Sequence, residues 1–229
     1  MTSHNVVYQP ASDRSLMVRF GDAIALEIHQ CVRALLTLLA AAPVDGVRNL
    51  QPGYTTLLIT FDPLLLDHAT LETMVRSYVD RMDAVQLPPA RRVEIPVCYG
   101  GDFGPDLLDV AKLHGITTEE VIRVHSSASY LVHFIGFVPG FAYLAGLPES
   151  IATPRLPEPR WSIPPGSIGI AGKQTGVYPV RTPAGWRLIG RTPLELFSPQ
   201  RENMALLSMG DEVRFVPISR DEFTEYSSP

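Results

Sequence analysis

Apolar positions in the first ninety residues follow a helical period in two stretches. Residues 24–39 place isoleucine, cysteine, valine and leucine at steps of three and four, which predicts an amphipathic helix. Asp22 stands where an N-cap is expected, and Pro43 ends the pattern. Residues 71–82 repeat the spacing behind Asp67, so the sequence predicts a second helix capped by that aspartate.

Strand-like runs flank and separate these two helices. Short stretches rich in β-branched and other apolar residues are typical of strands, and they occur at residues 15–20, 46–50, 55–61 and 92–97. The elements therefore run in the order β-α-β-β-α-β, the split βαβ pattern. This order predicts a small, ferredoxin-like N-terminal domain, which we place at residues 1–88.

Residues 89–229 follow a different pattern. Two short helices are predicted within residues 104–127, with Gly115 ending the first and Thr117 or Thr118 capping the second. Beyond them glycine and proline punctuate short β-branched runs, which predicts an all-β barrel or sandwich. Its candidate strands are 130–137, 167–171, 176–180, 186–189 and 212–217. The predicted fold class is α+β.

Composition excludes several classes of function. Hydrophobic residues make up 45% and charged residues 19% of the 229 residues, which is typical of a globular protein. A net charge of −5 gives no basic surface for nucleic acid or an anionic membrane. The opening residues lack the apolar core of a signal peptide, and charged residues interrupt the stretch 23–42, so we expect a cytoplasmic protein.

The two cysteines, Cys31 and Cys98, form no CxxC pair and have no histidine at metal-ligand spacing. This spacing argues against zinc and against a disulfide framework. We expect no metal site and two buried thiols.

Two motifs invite a nucleic-acid or nucleotide interpretation. The helix pair at 104–127 resembles a DNA-reading helix-turn-helix, but Glu119 and Glu120 offset its few cations, which favours a helical cap on the barrel. The segment AGKQTG at 171–176 resembles a phosphate-binding loop. It lacks the first glycine and has Gln174 where a serine or threonine would hold magnesium. A glycine-rich β-turn and a ligand loop of another design both remain open.

Histidines and arginines supply candidate chemistry. His125 ends a polar helix, where the helix C-terminus favours its protonated form, and is the better candidate acid or base. Strand alternation instead makes His133 a core histidine. Rigid proline- and glycine-rich surroundings hold Arg155, Arg160 and Arg191, and guanidinium groups held in this way suit carboxylate or phosphate. Solvation at the surface is the alternative for each.

A long, ordered run of motifs resembles one family, that of the 5-oxoprolinase B subunit, also called the KipI or allophanate hydrolase subunit 1 family. The resemblance extends from the GD at 21–22 to the GDEVRFVPI at 210–218. One departure is Ala184, which stands where the family usually has PGGW. The run comprises GPDL (104–107), EEVIRVHSSASYLV (119–132), GFVPGFAYLAGLP (136–148), PRLPEPR (154–160), IPPGSIGIAGKQTGVYPV (163–180) and GWRLIGRTPLELF (185–197).

This resemblance implies a fold, a reaction and partners. The fold is a small α/β domain followed by a cyclophilin-like β-barrel. The reaction opens the lactam of 5-oxoproline to glutamate with ATP and Mg²⁺ in the assembled complex. The partners are the 5-oxoprolinase C subunit, in direct contact, and a separate A subunit.

The stretch HFIGFVPGFAYLAGLPES, residues 133–150, is the candidate substrate pocket. Its glycines let the backbone approach a small ligand and its aromatic rings can form an apolar wall. The alternative is a simple turn whose aromatic residues belong to the core. The candidate catalytic residues are His125, Arg191 and Lys173. The candidate substrate-binding residues are Gly136, Phe137, Pro139, Gly140, Phe141, Tyr143, Arg155, Arg160, Gln174 and Tyr178.

Two other functions stay open at this point. Some members of the family look like inhibitors of a sporulation histidine kinase, which would make an exposed groove of the barrel a peptide-docking site. Others resemble parts of carboxyltransferases or hydrolases that act on urea-like amides. Such enzymes normally carry biotin on an AMKM-type lysine, and that motif does not occur in this sequence.

Overall fold

Two units divide the chain, with the boundary after Pro89, in a computed structural model that describes residues 6–226. The helices are α1 Leu26–Ala41, α2 His68–Val79, α3 Leu107–His114, α4 Thr118–Ser127 and α5 Arg220–Tyr226. The strands are β1 Val7–Ser12, β2 Ser15–Arg19, β3 Val47–Pro52, β4 Thr56–Phe61, β5 Arg92–Tyr99, β6 Tyr130–Ile135, β7 Ala142–Ala145, β8 Arg160–Ile163, β9 Ser167–Ala171, β10 Gln174–Val177, β11 Thr182–Ala184, β12 Arg187–Arg191 and β13 Glu212–Pro217.

The N-terminal unit is an antiparallel sheet with two helices. Its strands are ordered β1-β2-β4-β3, and α1 and α2 contact the sheet and each other. Asp67 caps α2 by accepting a hydrogen bond from the Thr70 amide at 2.7 Å, as the sequence predicts. The longest described helix, α1, has 16 residues, and none of the helices within residues 6–226 is long and apolar enough to cross a bilayer.

Two local expectations for this unit require correction. The helix α1 begins at Leu26 with Ala25 at the N-cap position and no side-chain cap, rather than behind Asp22, whose carboxylate pairs with Arg19. The predicted last strand of the split pattern is formed as β5, but it belongs to the barrel. Strand β1, which is absent from the predicted pattern, pairs with β2 and is the fourth strand of the N-terminal sheet instead.

The C-terminal unit contains the closed barrel that the sequence predicts, with strand order β10-β7-β6-β13-β5-β12-β9. Strands β9 and β10 pair and close it, and β13 runs parallel to β5 while the other pairs are antiparallel. Long-range pairing of this kind leaves no local mark in a sequence. The barrel core includes Ile95, Val97, Tyr130, Val132, Leu144, Ile168, Ile170, Ile189 and Phe215.

Helices α3 and α4 contact the barrel strands β12 and β13, respectively. Gly115 ends α3 in the left-handed conformation, and Thr117 caps α4 through the Glu120 amide. Both features are as predicted. Cys31 and Cys98 are buried and free, also as predicted, and burial raises the pKa of each thiol. A two-stranded sheet of β8 and β11 accompanies the barrel.

Candidate functional site

The predicted pocket stretch forms the connection between β6 and β7. Three short-range bonds close this connection: the Gly136 amide donates to the Phe141 carbonyl, the Phe141 amide to Val138, and the Val138 amide to Gly136. Within it Phe137 has a φ of 66°, a left-handed conformation that is costly for a large side chain. Gly140 has a φ of 82°, and a Cβ there would lie 2.7 Å from the Phe197 Cβ. Glycine is therefore required at 140.

Beyond the turn, Phe141 is the centre of an aromatic cluster. Its ring lies edge-to-face 4.9 Å from Tyr143, 5.0 Å from Tyr178 and 5.7 Å from Trp186, within the range of favourable aromatic pairs. Phe137 packs against the same ring at 5.6 Å and remains 61% exposed. We refer to these five aromatic residues as the aromatic cluster.

The aromatic cluster borders a cavity of about 260 Å³, a size suited to a small ligand. We call this cavity the aromatic pocket. Both interpretations of residues 133–150, a pocket wall and a simple turn, apply in part. Residues 136–140 form a turn, and the aromatic residues belong partly to the core and partly to the pocket wall. The lining residues are Phe137, Phe141, Tyr143, Arg155, Pro159, Tyr178, Pro183, Ala184, Gly185 and Trp186.

Two barrel glycines leave room for these rings. A Cβ at Gly176 on β10 would lie 2.9 Å from Phe141 and 3.2 Å from Trp186. A Cβ at Gly169 on β9 would lie 3.0 Å from the Trp186 Cβ. Since β9 and β10 pair directly, with Gly169 opposite Gly176, the two glycines form a flat surface on which the rings rest.

Arg155 is the cation of the aromatic pocket. Its guanidinium carbon lies 6.0 Å from the centre of the Trp186 ring, at the outer limit of a cation–π contact. Burial raises the pKa of the Tyr178 hydroxyl, while the charge of Arg155 opposes that rise. Among the ion pairs of residues 6–226 none engages Arg155, so its fork is available for an anion.

Arg160, the neighbouring candidate clamp, has a different role. Both of its terminal nitrogens donate to the carboxylate of Asp106, at 2.9 and 2.6 Å. Asp106 is buried and also accepts the Leu188 amide at 2.7 Å. The expected role of Arg160 as a substrate clamp is therefore corrected to a structural one, because its fork already holds a buried carboxylate.

His125 also differs from the sequence-based expectation. The side chain is fully buried, with Nδ1 2.8 Å from the Tyr99 hydroxyl and Nε2 3.0 Å from the Thr175 hydroxyl. Its ring stacks on Phe215 at 4.6 Å. Burial lowers the pKa of His125 to about 3, whereas the sequence favours the protonated form. The effect of desolvation on the pKa outweighs that of the helix C-terminus. This geometry gives no support to an acid/base role for His125.

The burial of His125 makes an acid-dependent stability measurable. Between its unfolded pKa of 6.5 and its folded pKa of about 3, only the unfolded chain binds the proton, so falling pH favours unfolding. We expect this histidine alone to remove about 3 kcal/mol of stability between pH 6.5 and pH 4, at 1.36 kcal/mol for each pH unit. Urea unfolding across this range should show a shallower pH dependence for His125→Gln than for the wild type.

Thr175→Val provides the matched control for that experiment. It removes one hydrogen bond of the same ring but keeps the titrating group, so its pH dependence should parallel that of the wild type. Parallel curves for His125→Gln and the wild type would contradict the assignment.

The other candidates lie outside the aromatic pocket. Lys173 belongs to the two-residue turn between β9 and β10 and pairs with Glu149 at the surface, so within the segment 171–176 residues 172–173 form the turn and the flanking residues belong to the two strands. Gln174 begins β10, and Pro139 is exposed within the 136–140 turn. Arg191, at the end of β12, lines a different cavity. His133 is buried, as expected.

Sequence reasoning missed one wall of the pocket. Trp186 is 6% exposed and closes the cavity together with Pro159 and Pro183. The segment TPAGW predicts a turn, and its tryptophan is not among the candidate site residues. The signal that could have found it is the position of Trp186 directly after that turn, where a large apolar surface is held in a fixed place.

Comparisons with known proteins agree with this architecture. Residues 6–207 match the family model described as carboxyltransferase domain, subdomain C and D. The 5-oxoprolinase B subunit of Bacillus subtilis (strain 168) is 42% identical over 224 residues, which cover 93% of each chain. Urea amidolyase of Lachancea kluyveri is 26% identical over 98% of this chain but only 14% of its own length. The crystal structure of TTHA0988 has a TM-score of 0.80 and 35% identity, and 90% of this chain covers 40% of it.

Proposed function

The chain belongs to the carboxyltransferase domain, subdomain C and D, family, and from this premise we propose that it is the B subunit of an ATP-dependent 5-oxoprolinase. In this role it contributes to opening the lactam of 5-oxoproline to glutamate. The observation that carries the proposal is the aromatic pocket with Arg155 at its wall.

The pocket and the substrate have matching chemistry. A 5-oxoproline molecule is a flat five-membered ring with one carboxylate. Edge-to-face aromatic walls suit the ring faces, and the guanidinium of Arg155 suits the carboxylate. A cavity of about 260 Å³ is of the size that a ligand as small as 5-oxoproline needs.

The residues of this chain would orient and shield the lactam. Arg155 fixes the carboxylate end, which directs the ring towards the wall that Phe141 and Trp186 form. Tyr178, kept neutral because burial raises the pKa of its hydroxyl, can donate a hydrogen bond to the lactam oxygen. When bound, ATP supplies the phosphoryl group that activates this oxygen, and the apolar wall limits access of stray water to the activated ring.

ATP with Mg²⁺ is proposed for the assembled complex. No group of three or more histidine, cysteine, aspartate or glutamate residues within residues 6–226 could hold a metal ion, so we assign no magnesium ligand to this chain. We propose direct contact with the C subunit and joint action with the A subunit, and we expect this chain to be inactive without them.

The deciding experiment measures ADP release with 5-oxoproline as the substrate. The chain is assayed alone, with the C subunit, and with the A and C subunits together. We expect turnover in the complete mixture only, and loss of that turnover when this chain is left out. Full turnover without this chain, with a verified complex of the other two proteins, would overturn the proposal.

An amide-directed function is the second candidate, favoured by the similarity to urea amidolyase. The same assay with urea or allophanate in place of 5-oxoproline separates the two. Urea carries no carboxylate for Arg155 to bind, and neither urea nor allophanate has the five-membered ring that the aromatic walls suit, so we expect 5-oxoproline to be preferred.

A further inference from the structure

A second cavity opens on the same unit of the chain. Its volume is about 670 Å³, within the range of pockets for larger ligands. Proline residues and the rings of Phe197 and Phe223 make up much of its wall, and the charged residues that line it are Arg181, Arg191 and Glu195. We call it the arginine cavity.

Arg191 is held rigidly in this cavity, and none of the ion pairs within residues 6–226 engages it. Its guanidinium carbon lies 4.8 Å from the centre of the Phe103 ring and 5.1 Å from that of Phe223. These two rings pack on one another with centroids 4.5 Å apart. Such contacts fix the orientation of a guanidinium while leaving its N–H groups free to donate.

The neighbouring cations are already engaged. Arg220 pairs with Asp102 at 2.6 Å, and Arg201 pairs with Glu195 at 2.8 Å. The single acid of the arginine cavity is thus partly neutralised by an arginine outside it. Arg181 contacts the Ser162 hydroxyl at 3.4 Å and, like Arg191, has no acidic partner among residues 6–226.

We propose that the arginine cavity binds a phosphate-bearing anion through Arg191 and Arg181. Two guanidinium groups in one cleft supply more N–H donors than a single carboxylate can accept, whereas a phosphate offers three acceptor oxygens and a higher charge. The source can be inorganic phosphate or the terminal phosphates of a nucleotide. Both present the same group to the arginines.

The arginine cavity and the aromatic pocket are lined by consecutive residues of the chain. Tyr178 faces the aromatic pocket, while the next three residues, 179–181, line the arginine cavity. The Gly166 amide donates to the Tyr178 carbonyl at 2.6 Å, and the Thr192 amide donates to the Gly166 carbonyl at 2.9 Å. A short hydrogen-bonded wall therefore separates the two cavities. If the proposed function holds, the phosphoryl group and the lactam occupy neighbouring sites.

The experiment is calorimetric titration of the full-length chain with inorganic phosphate, ADP and ATP, each at constant ionic strength and without metal. We expect Arg191→Met to weaken binding about 10-fold or more, and Arg191→Lys to weaken it less because the charge is kept. Arg123→Met, on the exposed face of α4, is the matched control and should bind as the wild type does.

The arms of the experiment distinguish the sources. Binding of phosphate with an affinity similar to that of ADP and ATP assigns the site to the free anion, and binding of ADP and ATP alone assigns it to a nucleotide. Arg181→Met gives a second, surface-exposed variant if Arg191→Met fails to fold by circular dichroism. Equal affinities of the wild type and the arginine variants, equal binding of acetate, or no binding of any probe would overturn the proposal. None of these results depends on lactam hydrolysis, so they leave the proposed function to its own assay.

Discussion

Replacing Arg155 by alanine is expected to lower kcat/KM for 5-oxoproline about 100-fold or more in the assembled enzyme. The guanidinium is the only cation among the residues that line the aromatic pocket. Arg155 is exposed in the isolated chain, but in the assembled enzyme we expect its loss to leave the substrate carboxylate without a partner, and a lost charge pair of this kind costs about 2–5 kcal/mol. At 1.36 kcal/mol for each factor of ten, the lower half of that range already corresponds to roughly 100-fold.

A lysine variant shows whether the effect depends on the bidentate geometry of the guanidinium or on its charge, and a surface variant serves as the control. Arg155→Lys keeps the charge but loses bidentate geometry, so we expect an intermediate loss of roughly 10-fold. Arg123→Ala, on the surface of α4 and paired with Glu120, is the control and should leave activity unchanged. Activity of Arg155→Ala within a few fold of the wild type would remove this residue from the site.

Binding can be followed separately from turnover because the chain has two tryptophans. Trp186 lines the pocket, whereas Trp161 is 95% exposed. In a Trp161→Phe background, 5-oxoproline should therefore change the emission of Trp186, and Arg155→Ala should shift the titration to higher ligand concentration.

Local signals in the sequence predicted much of the fold. The caps at Asp67, Gly115 and Thr117 are formed as predicted, because each depends on a side chain or a backbone conformation a few residues away. The strands at 167–171 and 212–217 have the predicted bounds. The pairing of β5 with β12 and β13 was not predictable in this way, since these partners lie about a hundred residues further along the chain.

The residues of the candidate site also divide into those that local sequence reveals and those that it does not. Phe141, Tyr143 and Tyr178 could be found because aromatic residues among glycines are visible in the sequence. The partners of Arg160 and His125 could not, because Asp106 lies 54 residues and Thr175 lies 50 residues away in sequence. An arginine with no acidic partner within residues 6–226 and an arginine that holds a buried aspartate can both stand next to proline in one short segment. Only the folded chain separates Arg155 from Arg160.

That difference in role gives Arg160 the largest expected effect on stability. Asp106, at the start of α3, joins β8 through Arg160 and β12 through the Leu188 amide. The Asp106 side chain is 6% exposed and that of Arg160 is 32% exposed. Arg160→Met leaves this carboxylate buried and charged without its partner, and we expect the free energy of unfolding to fall by about 3–5 kcal/mol.

The double variant Asp106→Asn/Arg160→Met tests the cause. It removes the stranded charge while an amide oxygen can still accept the Leu188 amide, so it should recover part of the loss. Urea unfolding followed by tryptophan emission measures the C-terminal unit alone, because Trp161 and Trp186 both lie after Pro89. The Arg123→Met variant, in which a surface pair with Glu120 of the same unit is broken, is the control and should cost less than about 1 kcal/mol. A loss as small as this in Arg160→Met would mean that the Asp106 carboxylate finds solvent, and the structural role assigned to Arg160 would be wrong.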